Sequence, residues 1–530
     1  MAYRKFLFFL TWITLVFVSG IFAQDLKNFS DDPAVFIVEL TTFMKPATDR
    51  ESKEAVQQFT ASWNSGTYSA KLQQEVIAVF NRMLGQRMRP TPGFRDYLQA
   101  MNSFPAGTQE SSILAWHKGL EPFVDSKGLR QLSGFLGNTV ELNRRKVLFK
   151  SKGNSWQFRN GSYSFAFDSV LSVTFKNVDL VCISGRDSIR IQETSGTHFP
   201  LADRFTGRGG KVYWEAFGFD PLKVYALINR FEINLKQTAW SADSVNFYHK
   251  DFFSFPLTGK FEDRVLVGVS ADRATFPRFV SYQTDIEIRE VFKDMNYRGG
   301  FTLEGPRIIG SGYGDKDATM WINRKGTPFI KLTSRSFVIR PDRIASQRAA
   351  ATIYHEADSI FHPGIQLRYI DENKEVLLLR SGEGASASPF FNSYHRVDMY
   401  FEALYYPMGA DSMNFEMLRG VKQTGDAVFE SSNFYSESRY HRLQGIDELN
   451  PINVVYNFTE RRKSRSFYLT ELTEYMQKPI EQVKVMVINL SNAGYIIYNL
   501  DNERIEVNDR LFDYLNARSK KKDYWTKGLR

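Results

Sequence analysis

Over residues 146–420 apolar and polar residues alternate with a period of two, in one short run after another. Successive side chains of a β-strand point to opposite faces, so this stretch can bury its apolar residues only by building sheets. The run VLFKSKGNSWQFRNGSYSFAFDSVLSVTFKNVDLVCISGRDSIRIQE carries the pattern, with turn signals at Asn160-Gly161 and Ser184-Gly185. An aromatic content of 15%, with 45 Phe and 25 Tyr, suits it, because flat rings pack across neighbouring strands. One interruption, DPLKVYALINRF, reads as a turn followed by a strand.

A short phrase recurs in this region: FDSV at Asp168, RDSI at Asp187, ADSV at Asp243, ADSI at Asp358 and ADSM at Asp411. Looser versions are ADRF at Ala202, ADRAT at Ala271 and PDRIAS at Pro341. Asp and Ser side chains bond to nearby backbone NH groups, so the phrase reads as a repeated corner that caps its own turn. Repeated corners predict a β-solenoid or jellyroll-like body. Chance recurrence of turn-friendly residues is the alternative.

The flanks are helical. In residues 24–145, DDPAVFIVEL offers an Asp cap with Pro33 in the first turn, and SAKLQQEVIAVFNRMLG sets Leu72, Val76, Val79, Phe80 and Met83 on one face, with Gly85 as a stop. After a connecting segment at 421–465, residues 466–515 give a helix in SFYLTELTEYMQKP, a second in IEQVKVMVINLSNAG, a hairpin in YIIYNLDNERIEV and a final helix in NDRLFDYLNA. Helix, helix and strand pair is the order of a winged-helix-like module. A basic tail occupies 516–530.

The N-terminus reads as a signal peptide over residues 1–23. The cationic MAYRK precedes an apolar run at 6–18 that is too short to span a bilayer. Cleavage after Ala23 leaves Gln24 first; cleavage after Gly20, or an uncleaved anchor, are the alternatives. No later segment has the length of a transmembrane span. Cys182 is the only cysteine, which excludes an intrachain disulfide and four-thiolate zinc sites. Export without disulfides points to a bacterial envelope, periplasmic or at the outer face. The net charge of +9 comes from 68 basic and 59 acidic residues that are interleaved, which describes a solvated surface with a modest attraction for acidic glycans or headgroups.

No candidate chemistry stands out. In YHEADSIFHPG, His355 and His362 lack the HExxH spacing and would lie on opposite faces of a strand. Gly310, Gly312 and Gly314, like Gly207, Gly209 and Gly210, are not followed by the helix a phosphate loop requires, and read as turns or bulges. Phe390, Phe391, Tyr394, Tyr405 and Tyr406 suit either core packing or a sugar-stacking face. The second C-terminal helix carries Lys484 beside Glu481, which is poor in charge for a reader of DNA. The chain therefore offers no catalytic, cofactor-binding or metal-ligating residue, and nucleic acid is not an expected partner.

The A-D-S-apolar phrases within alternating strands resemble those of the lipopolysaccharide-transport bridge family, which implies stacked short strands with an apolar groove for lipid. NFYSESRYHRLQGIDELNP, with YMQKP and DRLFDYL, is similar to large uncharacterised exported β-rich proteins of Bacteroidota-type envelopes. That likeness brings no known activity. Such proteins continue with further β-rich sequence, so a shortened product is one expectation here.

The expected protein is α+β, mainly β: an exported, non-enzymatic envelope protein acting as a scaffold or interaction surface. A lipid or glycan binder using a groove in the β domain is the second reading, and a glycan hydrolase the third. Expression of the whole chain in a bacterial host is expected to yield an exported product lacking its first 20 to 23 residues. Cell fractionation with N-terminal sequencing checks this, and full-length cytoplasmic protein would contradict it.

Overall fold

The computed structural model describes residues 26–126, 129–314, 316–380, 384–418, 427–431, 435, 437–444, 449–499, 502–519 and 521. The expected signal peptide and most of the basic tail lie outside them. Two compact units are formed: Met1–Tyr213 with Tyr225–Asn246 and Lys260–Ser270, and Trp214–Val224 with Phe247–Gly259 and Ala271–Arg530.

The first unit begins with six helices: α1 (Pro33–Phe43), α2 (Arg50–Asn64), α3 (Ala70–Gly85), α4 (Arg95–Met101), α5 (Glu110–Ser126) and α6 (Leu129–Arg145). Short polar residues start three of them. Asp32 Oδ1 accepts from Ala34 N at 2.8 Å, Asp49 Oδ1 from Ser52 N at 2.9 Å, and Ser69 Oγ from Leu72 N at 3.2 Å, satisfying NH groups that have no partner inside the helix. Helix α3 buries Leu72, Val76, Val79, Phe80 and Met83, the face its spacing predicts. Phe80 lies 5.4 Å from Phe36, 5.3 Å from Phe94 and 4.9 Å from Tyr97, and so joins α1, α3 and α4.

At Lys146, with φ 61°, the chain leaves α6 and enters antiparallel strands. Val170–Ser184 pairs with Ser162–Asp168, Ser155–Arg159 and Asp187–Phe199. Residues 221–223 form a turn and Val224–Leu227 a strand, as their sequence suggests. The inward residues of successive strands build a continuous aromatic column. Ring centroids run Phe158 to Phe175 at 5.0 Å, Phe175 to Phe205 at 5.9 Å and Phe205 to Phe231 at 6.1 Å. Phe231 to Trp240 at 5.1 Å and Trp240 to Phe261 at 5.0 Å continue it. All of these separations suit favourable aromatic pairing.

Glycine makes room for the rings. A Cβ at Gly207 would lie 2.0 Å from the ring of Phe231, and one at Gly196 2.7 Å from Phe205. The second unit repeats the device with Gly259 under Phe279 and Gly310 under Tyr297. The glycines of GRGG and GSGYG thus serve sheet packing and turns.

In the second unit, antiparallel hairpins follow one another from Arg278–Ser281 to Val428–Ser431. Helices α7 (Glu437–Gln444), α8 (Pro451–Arg462), α9 (Leu469–Met476), α10 (Ile480–Asn492) and α11 (Asp509–Arg518) then surround a small antiparallel sheet ordered Ser466–Tyr468, Arg504–Val507, Ile496–Asn499. Two local expectations change. Residues Ser466–Tyr468 open as a strand, because Phe467 is buried and the triplet pairs with Arg504–Val507; the helix starts only at Leu469. The segment taken as a connector contains α8, whose Ile452, Val455 and Phe458 enter the same core as Leu472, Val487 and Leu511. Asn450 caps α8 and Pro451 opens it, a start signal legible in the sequence. No helix among the described residues is long and apolar enough to cross a membrane.

Among the polar residues inside the first unit's β core is Asp263. Asp263 follows Leu257, Gly259 and Phe261 on the inward side of its strand. Burial pushes its carboxyl up to about 8, and its charge in turn helps burial to push the Cys182 thiol up to about 12. Arg264 N donates to Asp263 Oδ1 at 2.9 Å. In the unfolded chain Asp263 loses its proton near pH 4, whereas the folded protein keeps it to about pH 8. The unfolded state therefore binds fewer protons across that window, and stability falls as pH rises through it. Asp263→Asn is expected to raise the unfolding free energy at pH 8, by at most about 5 kcal/mol, with the gain vanishing near pH 4. Urea titrations at the two pH values check this; an equal effect at both would contradict it.

Candidate functional site

The residues that stood out in the sequence are dispersed. His355 and Asp358 face each other across a hairpin whose tip, Glu356, has φ 52°. The His355 ring is exposed and stacks on Tyr394 at 5.9 Å. His362 is fully buried: its Nε2 donates to Ser388 O at 2.9 Å, and its Nδ1 accepts from Gly364 N at 3.0 Å. Both nitrogens are thus engaged, and burial lowers this imidazole to about 3. Among the described residues no group of three or more His, Cys, Asp and Glu gathers in a way that could hold a metal ion. Tyr406 and Phe390 are core residues, packed at 5.0 Å on Phe329 and 4.3 Å on Phe401, whereas Tyr394 is 65% exposed. These rings do not form one sugar-stacking face.

The five Asp-Ser phrases are mostly at turns but are not equivalent. Asp168 precedes a tight turn at Ser169, while Asp187 and Asp358 follow theirs. Asp411 lies in a bend, and Asp243 lies within the strand Ala239–His249, which is distorted at Ser244 with φ 55°. Three of them reach beyond their own turns. Asp187 Oδ2 accepts from the distant Gly268 N at 3.0 Å, Asp358 Oδ1 from Ser393 Oγ at 2.8 Å, and Asp411 Oδ1 from Lys325 Nζ at 3.0 Å. A tight hairpin already pairs the backbone groups that flank it, so its carboxylate is left to tie down a neighbouring segment.

Two cavities have a built polar interior. The first, about 360 Å³, lies in the first unit between α6 and the strands that follow it. Phe123, Phe135, Leu142, Phe149, Phe165 and Leu171 line it together with the polar Gln131, Asn138, Thr139 and Lys150. His198 also lines it. The strand Asp187–Phe199 turns Thr194 and His198 inward, and His198 sits opposite Val173 on one neighbouring strand and Phe205 on the other. Its side chain is buried, with only 3% of the residue exposed, and neither ring nitrogen meets a hydrogen-bonding group among the described residues. Burial holds the imidazole down to about 4, so it is neutral near pH 7. At the margin, the ion pair of Asp203 with Lys236 Nζ at 3.2 Å balances the local charge.

The second cavity, about 180 Å³, lies in the second unit beside Asp398 and Arg510. These two form an ion pair whose side chains are only 2% and 9% exposed. Arg510, in the first turn of α11, also covers the Tyr495 ring at 5.1 Å. Ser388 Oγ donates to Ser491 O at 2.8 Å nearby, so the helical segment is pinned to the strands by polar contacts at two points.

Sequence reasoning passed over His198, Asp263 and the Asp398–Arg510 pair. The signal for His198 and Asp263 is a polar residue at an inward position of an alternating strand. For the ion pair no local signal exists, because its partners are more than a hundred residues apart.

Comparison with protein-family models, curated proteins and solved structures gave no match.

Removing either member of the Asp398–Arg510 pair leaves the other buried without its counter-charge. Asp398→Ala and Arg510→Ala are each expected to cost about 3–5 kcal/mol, and the double replacement Asp398→Leu with Arg510→Met much less. Chemical denaturation of the three variants checks this; equal losses in all three would contradict it.

Proposed function

We propose that the protein is an exported, non-enzymatic envelope protein that serves as a structural scaffold and interaction surface. The observation that carries this reading is the aromatic column from Phe158 to Phe261, a row of buried rings in contact along the strands that form it. A lipid carrier of the jellyroll type needs a continuous apolar groove along that interior, and rings 5–6 Å apart occupy the space instead. Packed interiors resist deformation, which suits a body that holds other components at fixed positions. The succession of antiparallel hairpins fits a jellyroll-like arrangement of this body better than a β-solenoid, whose coils pair in parallel.

The C-terminal helices and small sheet fit a winged-helix-like module used for protein docking. Its α10 presents Val485, 59% exposed, and Ile480, 38% exposed. Lys484, which would meet phosphate in a DNA reader, is paired with Glu503 at 3.0 Å. Exposed Val485 and Ile480 beside a neutralised cation favour protein over nucleic acid.

Photoreactive residues placed at Val485 and at Ile480 of the full chain test this in cells. The expected result is one discrete adduct, common to both positions and lost on Val485→Asp. Absence of any adduct, or specific sub-micromolar binding of duplex DNA near physiological salt, where nonspecific binding is about 10⁻⁴ to 10⁻⁶ M, would overturn the docking role.

A further inference from the structure

A groove of about 590 Å³ lies in the first unit, between the segment 105–112 at the start of α5 and the strand Ser162–Asp168. Three cations line it, Lys146, Arg159 and Lys176, and no carboxylate does. None of the three takes part in an ion pair among the described residues. The acid opposite Arg159 on the neighbouring strand, Asp179, is buried and already occupied. It accepts from Arg190 Nη2 at 2.6 Å, Asn160 Nδ2 at 2.8 Å and Glu193 N at 3.0 Å. Lys146 is held in place: its Nζ donates to Asn143 O at 3.2 Å and lies 5.4 Å and 5.1 Å from the ring centroids of Phe158 and Tyr163. An ammonium group has three N–H bonds, so two remain.

Hydroxyl groups accompany the charge. Ser162 lies opposite Lys176, and Ser164 opposite Thr174, on the outward face of their strands. The hydroxyl groups of Ser162, Ser164 and Thr174 make no hydrogen bond among the described residues. The row continues past the groove, with Thr197 opposite Thr174 and Thr206 opposite Thr197, at the strand spacing of about 4.8 Å. Cations without counter-charges select an anion, and a row of short donors and acceptors suits a ligand that carries hydroxyl groups along its length. An acidic peptide fits less well. Phe165 N turns away from the paired strand and donates to Ser112 Oγ at 2.8 Å, so the start of α5 already occupies the edge along which an extended peptide would add.

We propose that this groove binds an anionic saccharide, whose carboxylate or phosphate groups meet Lys146, Arg159 and Lys176 and whose ring hydroxyls meet Ser162, Ser164 and Thr174. The assignment rests on the groove alone and is independent of the scaffold role.

The test titrates the full chain calorimetrically with trigalacturonate, a carboxylate-bearing saccharide, and with glucose-6-phosphate, a phosphate-bearing one. The trimethyl ester of the first and glucose are the neutral controls, and hexaglutamate is the acidic peptide control. At least one anionic saccharide is expected to bind about tenfold or more tightly than its neutral counterpart, as one charge-assisted hydrogen bond provides, and to weaken as salt is raised. Lys176→Glu and Arg159→Glu, both at exposed positions where a changed side chain leaves the fold intact, are each expected to weaken that binding by about tenfold or more. Lys71→Glu, at an exposed position on α3 outside the groove lining, is expected to leave it unchanged, which separates a local site from the attraction of the whole chain's net charge of +9. No binding of either saccharide, equal affinity for charged and neutral forms, or a loss with Lys71→Glu as large as with Lys176→Glu would overturn the proposal. Tighter binding of hexaglutamate than of either saccharide would overturn the saccharide class, as would inorganic phosphate binding as tightly as glucose-6-phosphate while trigalacturonate does not bind.

Discussion

Aromatic rings packed over glycine on antiparallel strands are the contact on which the β body depends. Each ring buries a large apolar area, and Phe205, Phe231, Phe279 and Tyr297 do so over positions that carry no Cβ, Gly196, Gly207, Gly259 and Gly310. Any side chain at Gly207 would meet the Phe231 ring at 2.0 Å, so the glycine and the ring form one structural unit. Strand pairing brings the two together, and the pair in turn fixes the register, because a slip of one residue would put every ring on the wrong face.

Buried polar groups then mark where the packing is not purely apolar, and they differ in kind. His362 has both nitrogens satisfied and acts as a strut between its strand and Ser388. The Asp398–Arg510 pair ties the first turn of α11 to the strand Val397–Tyr400, where neither charge could remain alone. Asp263 avoids the cost of a buried charge by staying protonated. His198 differs from all three: it is neutral, buried and at the wall of a cavity, with no protein group to meet it among the described residues.

The Asp-Ser phrases illustrate how local chemistry is reused without local equivalence. Asp187, Asp358 and Asp411 each tie a turn to a segment distant in the chain, namely Gly268, Ser393 and Lys325. A short acceptor beside a turn is easily aimed outward, so the same dipeptide serves wherever a loop passes within reach. Such tethers hold loops in place.

The period of two determined by itself that the chain after Lys146 is built mainly of strands, and the i, i+3, i+4 spacing with its caps determined helices on either side; that the strands pair antiparallel was decided by the tertiary structure. Leu72 to Met83 fell on the predicted face because both periodicities are properties of the local backbone. The sequence also carried the Asn450-Pro451 start of α8, although the residues after it were read as a connector. Its buried face became clear only with Leu472, Val487 and Leu511 around it. Tertiary structure alone decided which polar residues find partners. His362 and His198 occupy similar inward strand positions, yet one meets Ser388 and the other no hydrogen-bonding group among the described residues. Solvation and partnership depend on segments far apart in the chain, and no spacing rule within one strand encodes them.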